Sequence, residues 1–219
     1  RSAGLLIRNE KVTFAPQNGE LKLHLSEAKK VSTGNHIATI FSNNKKQDNL
    51  YNHNAGIVSY KIDGLEMTLT EASIQNLTYS KFINLKGKIN AVKAGDSINV
   101  GRHIFKVIDN FKFYVAVLLP QNQLKNYEVG SNVEVIFSTI KNQYFRGKIE
   151  KIVSDQPKNI MIIKFNKFLP ELIDLRKTSV EVIKKRYRGI VVPVSALIKK
   201  DNKTGVMVSG YTKKYFKEV

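Results

Sequence analysis

Four histidines, His24, His36, His53 and His103, are the only imidazoles of the chain, and no cysteine accompanies them. No two share the HxH or HxxxH spacing that presents two ligands from one strand or one helical turn, so no preformed metal site is expected. His36 and His103 occupy matching places in a repeat described below, which reads first as a hairpin feature. The lack of cysteine excludes a disulfide scaffold, a thiolate metal site and a thiol enzyme. Asp63 and Glu66 flank Gly64, and paired carboxylates do acid–base work only where a cleft shifts a pKa; Asp-Gly is first a turn signal. Ser195 stands in Val194-Ser195-Ala196, outside any G-x-S-x-G elbow, and reads as a strand-end residue. Lys45 and Lys46 lack the Met-Lys-Met or Asp-Lys-Ala setting of a lipoyl or biotin carrier, and no phosphate-binding glycine loop occurs. The expectation is a protein without catalytic residues, cofactor or metal.

The charge narrows the partners. Lys and Arg number 36 against 18 acidic residues, giving a net charge of +18. Such an excess suits an anionic surface or polymer. Only seven of the 36 are Arg, however, and base readout favours the bidentate guanidinium, so specific nucleic-acid binding is not expected. The densest basic run, residues 184–188, reads as a solvated edge before a strand. The longest apolar stretches, 114–119 and 190–198, fall short of the roughly 20 residues of a spanning helix. Because the chain starts at Arg1 rather than Met, an upstream segment is expected.

The elements that must hold these residues are mostly strands. Residues 20–25 alternate polar with leucine, and 132–137, 149–153, 160–165 and 180–183 are rich in β-branched residues between Gly, Asn and Asp clusters, the pattern of short-stranded all-β domains. A short helix is expected from Thr70, as N-cap, to Leu77, and a turn or two over 121–127. The polar stretch 42–54 reads as a loop.

One pattern occurs twice. Residues 31–40 (VSTGNHIATI) and 98–107 (INVGRHIFKV) both read [VI]-x-x-G-x-H-I-x-x-[IV], 67 residues apart. Each has a second glycine upstream, so Gly19 and Gly34 mark one copy and Gly56 and Gly101 the other. A glycine opens a strand at a tight turn, a second serves the next turn, and an apolar strand closes the unit. One copy cannot bury its apolar face alone; two can stack into a small sandwich with pseudo-two-fold symmetry.

These glycine-anchored halves resemble the biotinyl/lipoyl-like barrel-sandwich domain of membrane fusion proteins, the HlyD-like periplasmic adaptors. Further segments follow in that family's order: 105–110 (FKVIDN) into 113–115, then 129–133 (VGSNV) and 146–149 (RGKI) as barrel strands, and 189–198 (GIVVPVSALI) with 204–208 (TGVMV) as strands of a membrane-proximal domain. Residues 55–66 (AGIVSYKIDGLE) resemble the Gram-positive variant. The resemblance implies a mainly β fold: a lipoyl-like barrel-sandwich domain over 14–110 (halves 14–41 and 55–110, with an insertion at 63–90), a β-barrel over 111–184, and a membrane-proximal β-domain over 185–219 together with 1–13. Where the family threads a long helical hairpin between its halves, only 42–54 stands here, too short for a coiled coil. It further implies a non-catalytic, extracytoplasmic adaptor in a transport or secretion assembly, anchored through an N-terminal segment outside this chain, forming homo-oligomers and meeting an inner-membrane transporter or envelope complex. The basic surface adds anionic lipid or wall polymer as a partner. The alternative is a β-rich binding module for anionic wall polymer or single-stranded nucleic acid, with Phe111, Phe113, Tyr114, Tyr144 and Phe145 as a stacking face beside lysines.

Overall fold

The computed structural model describes residues 1–42, 46–140, 143–167, 169–184, 190–211 and 213–219. The chain divides into two compact units, Arg1–Lys185 and Arg186–Val219. In chain order the first unit runs β1 (Ser2–Ile7), β2 (Glu10–Phe14), β3 (Gly19–Leu23), β4 (Lys30–Val31), β5 (His36–Phe41), β6 (Gln47–Tyr51), β7 (Gly56–Ser59) and β8 (Lys61–Ile62). A 3-10 turn (Ala72–Asn76) and helix α1 (Tyr79–Asn84) come next. After them follow β9 (Asn90–Ala91), β10 (Ser97–Ile98), β11 (His103–Ile108), β12 (Phe113–Leu119), β13 (Asn132–Phe137), β14 (Phe145–Val153), β15 (Asn159–Phe165) and β16 (Lys177–Ile183). The second unit holds an antiparallel sheet of β17 (Ile198–Lys200), β18 (Lys203–Ser209) and β19 (Lys214–Glu218).

The two glycine-marked copies build one module by exchanging strands. The sheets run β10-β3-β5-β6 and β2-β11-β7-β4. In each, a strand opened by the upstream glycine pairs with the apolar strand of its own copy, β3 with β5 and β7 with β11. The short strand from each copy crosses to the other sheet: β4 joins β7 and β10 joins β3. Between them lie Leu21, Ile37, Ala38, Ile40, Val58, Ile98, Ile104, Phe105 and Val107. Neither half could cover this face alone, which is why the duplication is a folding requirement.

The second module is a closed barrel in the order β1-β12-β15-β14-β13-β16. Odd residues of β12 (Phe113, Val115, Val117, Leu119) point inward with Met161, Ile163 and Phe165, and the Phe113 and Phe165 rings stack at 4.8 Å. Even residues (Tyr114, Ala116, Leu118) point outward, yet they too are buried, with Leu5, Ile7, Ile160 and Ile162, beneath Leu69, Ile74, Leu77 and Phe82 of the insertion. Burial on both faces is why 114–119 and 160–165 are nearly continuous apolar runs. Each covered Leu, Ile or Phe contributes about 1.5–3 kcal/mol.

Four expectations are corrected. Residues 1–13 do not join the C-terminal sheet: β1 closes the barrel between β12 and β16, and β2 pairs with β11 of the sandwich. The physical reason is Leu5-Leu6-Ile7, whose alternate side chains fill the barrel interior and the layer under the insertion. The stretch 42–54 is not all loop, because β6 pairs with β5; as an edge strand it buries only Leu50 among polar neighbours, which hides it from composition. The helix expected from Thr70 is a 3-10 turn with Glu71 at its N-cap, and the α-helix is α1, capped by Thr78, whose hydroxyl accepts the Lys81 N–H. Ser195 lies on a 3-10 turn (Val194–Ala196) rather than at a strand end. The turn expected over 121–127 is a 3-10 helix at Gln121–Asn126.

Candidate functional site

The two modules meet at a buried cluster of six charges. Arg8 follows β1, Glu10 opens β2, Asp63 and Glu66 begin the insertion, Lys106 lies in β11 and Arg176 precedes β16. Their side chains are nine-tenths or more buried. Lys106 Nζ donates to Glu66 Oε1 at 3.0 Å and lies 3.4 Å from Glu10 Oε1. Arg176 donates through Nε to Asp63 Oδ2 at 2.5 Å and through Nη2 to Glu10. Arg8 pairs with Glu10 at 3.3 Å and donates to the Leu172 and Leu175 carbonyls at 2.7 and 3.1 Å. Three cations thus balance three carboxylates, the condition under which buried charges are tolerated.

Local sequence explains the geometry. Gly64 takes φ +81°, so the chain reverses at Asp63-Gly64. Glu66 then accepts the backbone N–H groups of Asp63 and Gly64 at 2.8 and 2.9 Å, and Asp63 accepts that of Leu65 at 2.9 Å. The carboxylates are therefore both turn residues and counter-ions. Burial pushes the Asp63 pKa up, but the Arg176 hydrogen bonds and charge outweigh it, and the carboxyl titrates below its ordinary range. Burial likewise draws Arg176 down, and Glu10 and Asp63 more than offset it.

A second contact set holds the insertion on the barrel. Lys112 donates to Glu71 Oε2 at 2.6 Å, and the Tyr114 hydroxyl donates to Glu71 Oε1. These hydrogen bonds lower the Glu71 pKa to about 2. Asp155 accepts the Tyr79 N–H at the start of α1 at 2.6 Å, and Lys151 reaches the Gln75 carbonyl. An open groove of about 870 Å³ beside the junction is lined by Glu10, Glu71, Asp109, Lys11 and Phe111, among others. Glu71 and Asp63 are held well below neutral pH, opposite to what a general acid or base there would need.

The structure places the remaining predicted residues as follows. Gly34 and Gly101 adopt φ +81° and +80°, with open space where a Cβ would stand. Gly19 and Gly56 open β3 and β7, where a Cβ would lie 2.3 Å from the carbonyl oxygens of Phe41 and Ile108 respectively. Phe113, Tyr114 and Phe145 are buried while Phe111 and Tyr144 are exposed, so the five aromatics do not form one stacking face. Lys46 is exposed; Lys45 and residues 185–188 of the basic run lie outside the described residues. Among the described residues no group of three or more His, Asp or Glu could hold a metal, and no helix is long and apolar enough to cross a membrane.

Two arrangements were not legible in the spacing. Asp63 and Glu66 lie over a hundred residues from Arg176 in sequence and meet it only at the junction. His24 and His36, twelve residues apart, stand side by side with ring centroids 4.0 Å apart, because β3 and β5 are antiparallel. The only available signal was the alternation Lys22, His24 on one face of β3.

Comparison with known proteins agrees with this geometry. The profile of the RND related, barrel-sandwich hybrid domain matches residues 10–109, and that of the RND related, beta-barrel domain matches 113–186. A closed barrel joined to a strand-exchanged sandwich, in this order, defines a membrane fusion type of architecture. The chain belongs to the membrane fusion, or periplasmic adaptor, protein family. Among solved structures it is similar to a candidate efflux transporter from Bacteroides eggerthii (14% identity, 100% of this chain and 81% of that one, TM-score 0.48). It is also similar to MacA from Actinobacillus actinomycetemcomitans (12%, 100% and 87%, 0.44) and to a membrane fusion protein from Streptococcus pneumoniae (13%, 82% and 99%, 0.41). No curated protein matches the chain in sequence.

Proposed function

We propose that the chain is a non-catalytic adaptor on the extracytoplasmic side of a membrane, where several copies assemble with a membrane-embedded transporter or envelope complex. The observation that carries this reading is the junction. An adaptor transmits position, so its modules must keep a fixed angle, and six balanced buried charges specify one arrangement of sandwich, insertion and barrel. Family membership supports the adaptor role. The proposed working divisions are a sandwich module near 14–110, a barrel near 111–184 completed by 2–7, and a membrane-proximal module from 185. The turn glycines Gly19, Gly34, Gly56 and Gly101 are its proposed structural markers.

The test is crosslinking of the tagged full-length protein in its native membrane. Recovery of adaptor multimers together with a polytopic transporter is the expected result, and Lys106→Met is expected to lower that yield. Recovery of monomer alone, or of wall polymer without a membrane protein, refutes the reading.

A further inference from the structure

The outer wall of the barrel carries an arrangement that the adaptor role does not use. One transverse row crosses four adjacent strands: Asn132 of β13, Lys148 of β14, Lys164 of β15 and Tyr114 of β12 are register partners in turn. Gly147 and Ile149, on either side of Lys148, are buried, so Lys148 faces outward, and its antiparallel partner Lys164 faces the same way. Two lysines thus leave the sheet directly opposite each other, with Cβ atoms about 4.5–5.5 Å apart, a placement that destabilises a strand pair when the charges match. Arg146 lies two positions from Lys148 on the same face of β14. Lys167, just past the end of β15, holds Nζ 5.4 Å from the centroid of the Phe145 ring.

All four cations border an open groove of about 720 Å³, where the one carboxylate among the lining side chains is Glu150. Among the described residues none of the four makes an ion pair, with Glu150 or with any other acid. Elsewhere this protein answers its lysines: Lys61 meets Asp174, Lys112 meets Glu71 and Lys203 meets Glu218. Here the other neighbour of Lys148 is Asn132, and that of Lys164 is Tyr114, whose ring centroid lies 6.0 Å from Lys164 Nζ. A wall that only meets water gains nothing from setting two lysines in register, because a neutral polar residue at either place would relieve the repulsion. A bound anion turns that repulsion into two attractions.

We propose that Arg146, Lys148, Lys164 and Lys167 form a binding site for a phosphate group, carried by a soluble phosphate compound or by a phosphomonoester lipid headgroup. The ligand has to bring more than one negative charge into the span of two facing lysines. A phosphate monoester carries about −1.5 to −2 at pH 7 on three acceptor oxygens, whereas a carboxylate brings a single charge. Lys148 and Lys164 supply point charges, and the planar fork of Arg146 matches two phosphate oxygens at once. The cations line one groove rather than a stripe along the molecule, which suits a compact anion over the backbone of a polymer. The inference needs only the barrel and is independent of the adaptor reading.

The experiment follows thermal unfolding of the chain in sodium phosphate up to about 20 mM, with NaCl holding the ionic strength constant, and in parallel its flotation with phosphatidylcholine vesicles that contain or lack phosphatidic acid. The expected result is a saturable rise in Tm with phosphate that sodium acetate does not reproduce, or saturable flotation that requires phosphatidic acid. Saturation by phosphate in solution assigns a soluble ligand, and saturation on phosphatidic acid vesicles alone assigns a headgroup; either supports the site. Lys148→Gln and Lys164→Gln are each expected to weaken binding about tenfold while raising the Tm of the ligand-free protein, since each relieves the facing charge. A lysine that merely solvates the wall moves neither quantity in this opposed way. Lys29→Gln removes the same charge from the sandwich module and is expected to leave binding unchanged. The wild-type titrations stand without any variant having to fold. No saturation in either arm, or a loss in Lys29→Gln equal to that in Lys148→Gln, overturns the proposal.

Discussion

The outer faces of the two half-motifs share one backbone pattern and do opposite things. Both copies place a histidine on a bulge, His36 and His103, and both point the residue three positions later outward from the sandwich. In the first copy that residue is Thr39, held by two exposed or half-buried imidazoles and an amide. In the second it is Lys106, buried under the insertion and the barrel and held by Glu66 and Glu10. The backbone is shared; what covers it is not. A duplicated fold fixes where side chains point, and the chain packed over each copy decides whether that position meets neutral polar partners or a counter-charge.

This contrast can be broken most severely at Lys106. Lys106→Met leaves Glu10 and Glu66 with one counter-charge too few inside the protein, and removing one partner of a buried ion cluster costs about 3–5 kcal/mol. Thr39→Val at the matching position is expected to cost only about 1 kcal/mol, because the exposed imidazole partners can turn to water. Urea denaturation of the two variants measures the gap, and equal losses would show that the faces are not differentiated as described.

The glycines sharpen the symmetry behind the comparison. A Cβ at Gly19 or Gly56 meets a carbonyl oxygen of a neighbouring strand at 2.3 Å, so Gly19→Ala and Gly56→Ala are each expected to cost about 1–3 kcal/mol through forced backbone shifts. At Gly34 and Gly101 space is open and only the positive φ is strained, so Ala there costs about 1 kcal/mol. The expected pattern is two matched pairs; a large difference within either pair breaks the equivalence of the halves.

The smallest effect concerns acid. Glu71 is held near pKa 2 against a usual 4.5. A depressed folded-state pKa contributes stability that is complete above the unfolded value and lost as pH falls through the folded one. The contribution therefore disappears between about pH 4.5 and 2. Because Glu71 is partly exposed, screening keeps it below about 1 kcal/mol. Thermal melts across that window are expected to fall less steeply in Glu71→Gln than in wild type. Asp63 adds to the same acid limb with the same sign, since its folded pKa is also lowered.

Much of the architecture was legible because strands advertise themselves through alternation and turn residues. The runs at 132–137, 160–165 and 180–183 are strands, and the repeat marked by Gly34 and Gly101 pointed to one clasped module. Strand β6 was hidden because an edge strand needs backbone pairing more than apolar side chains. Residues 1–13 were misplaced because β1 has the composition of any buried strand, and nothing local says which barrel it closes. The turn at Asp63-Gly64 was readable; that its carboxylates would neutralise Arg176 and Lys106 was not.

Sequence alone determined the β-class, the repeat and the want of thiol chemistry, since these rest on local preference, spacing and composition. Tertiary structure alone decided that three carboxylates and three cations share one buried junction, that 63–90 roofs the barrel, and that His24 stands beside His36. The physical reason is that burial and counter-charge are properties of neighbours in space, and antiparallel pairing and barrel closure make neighbours of residues that no short window of sequence contains.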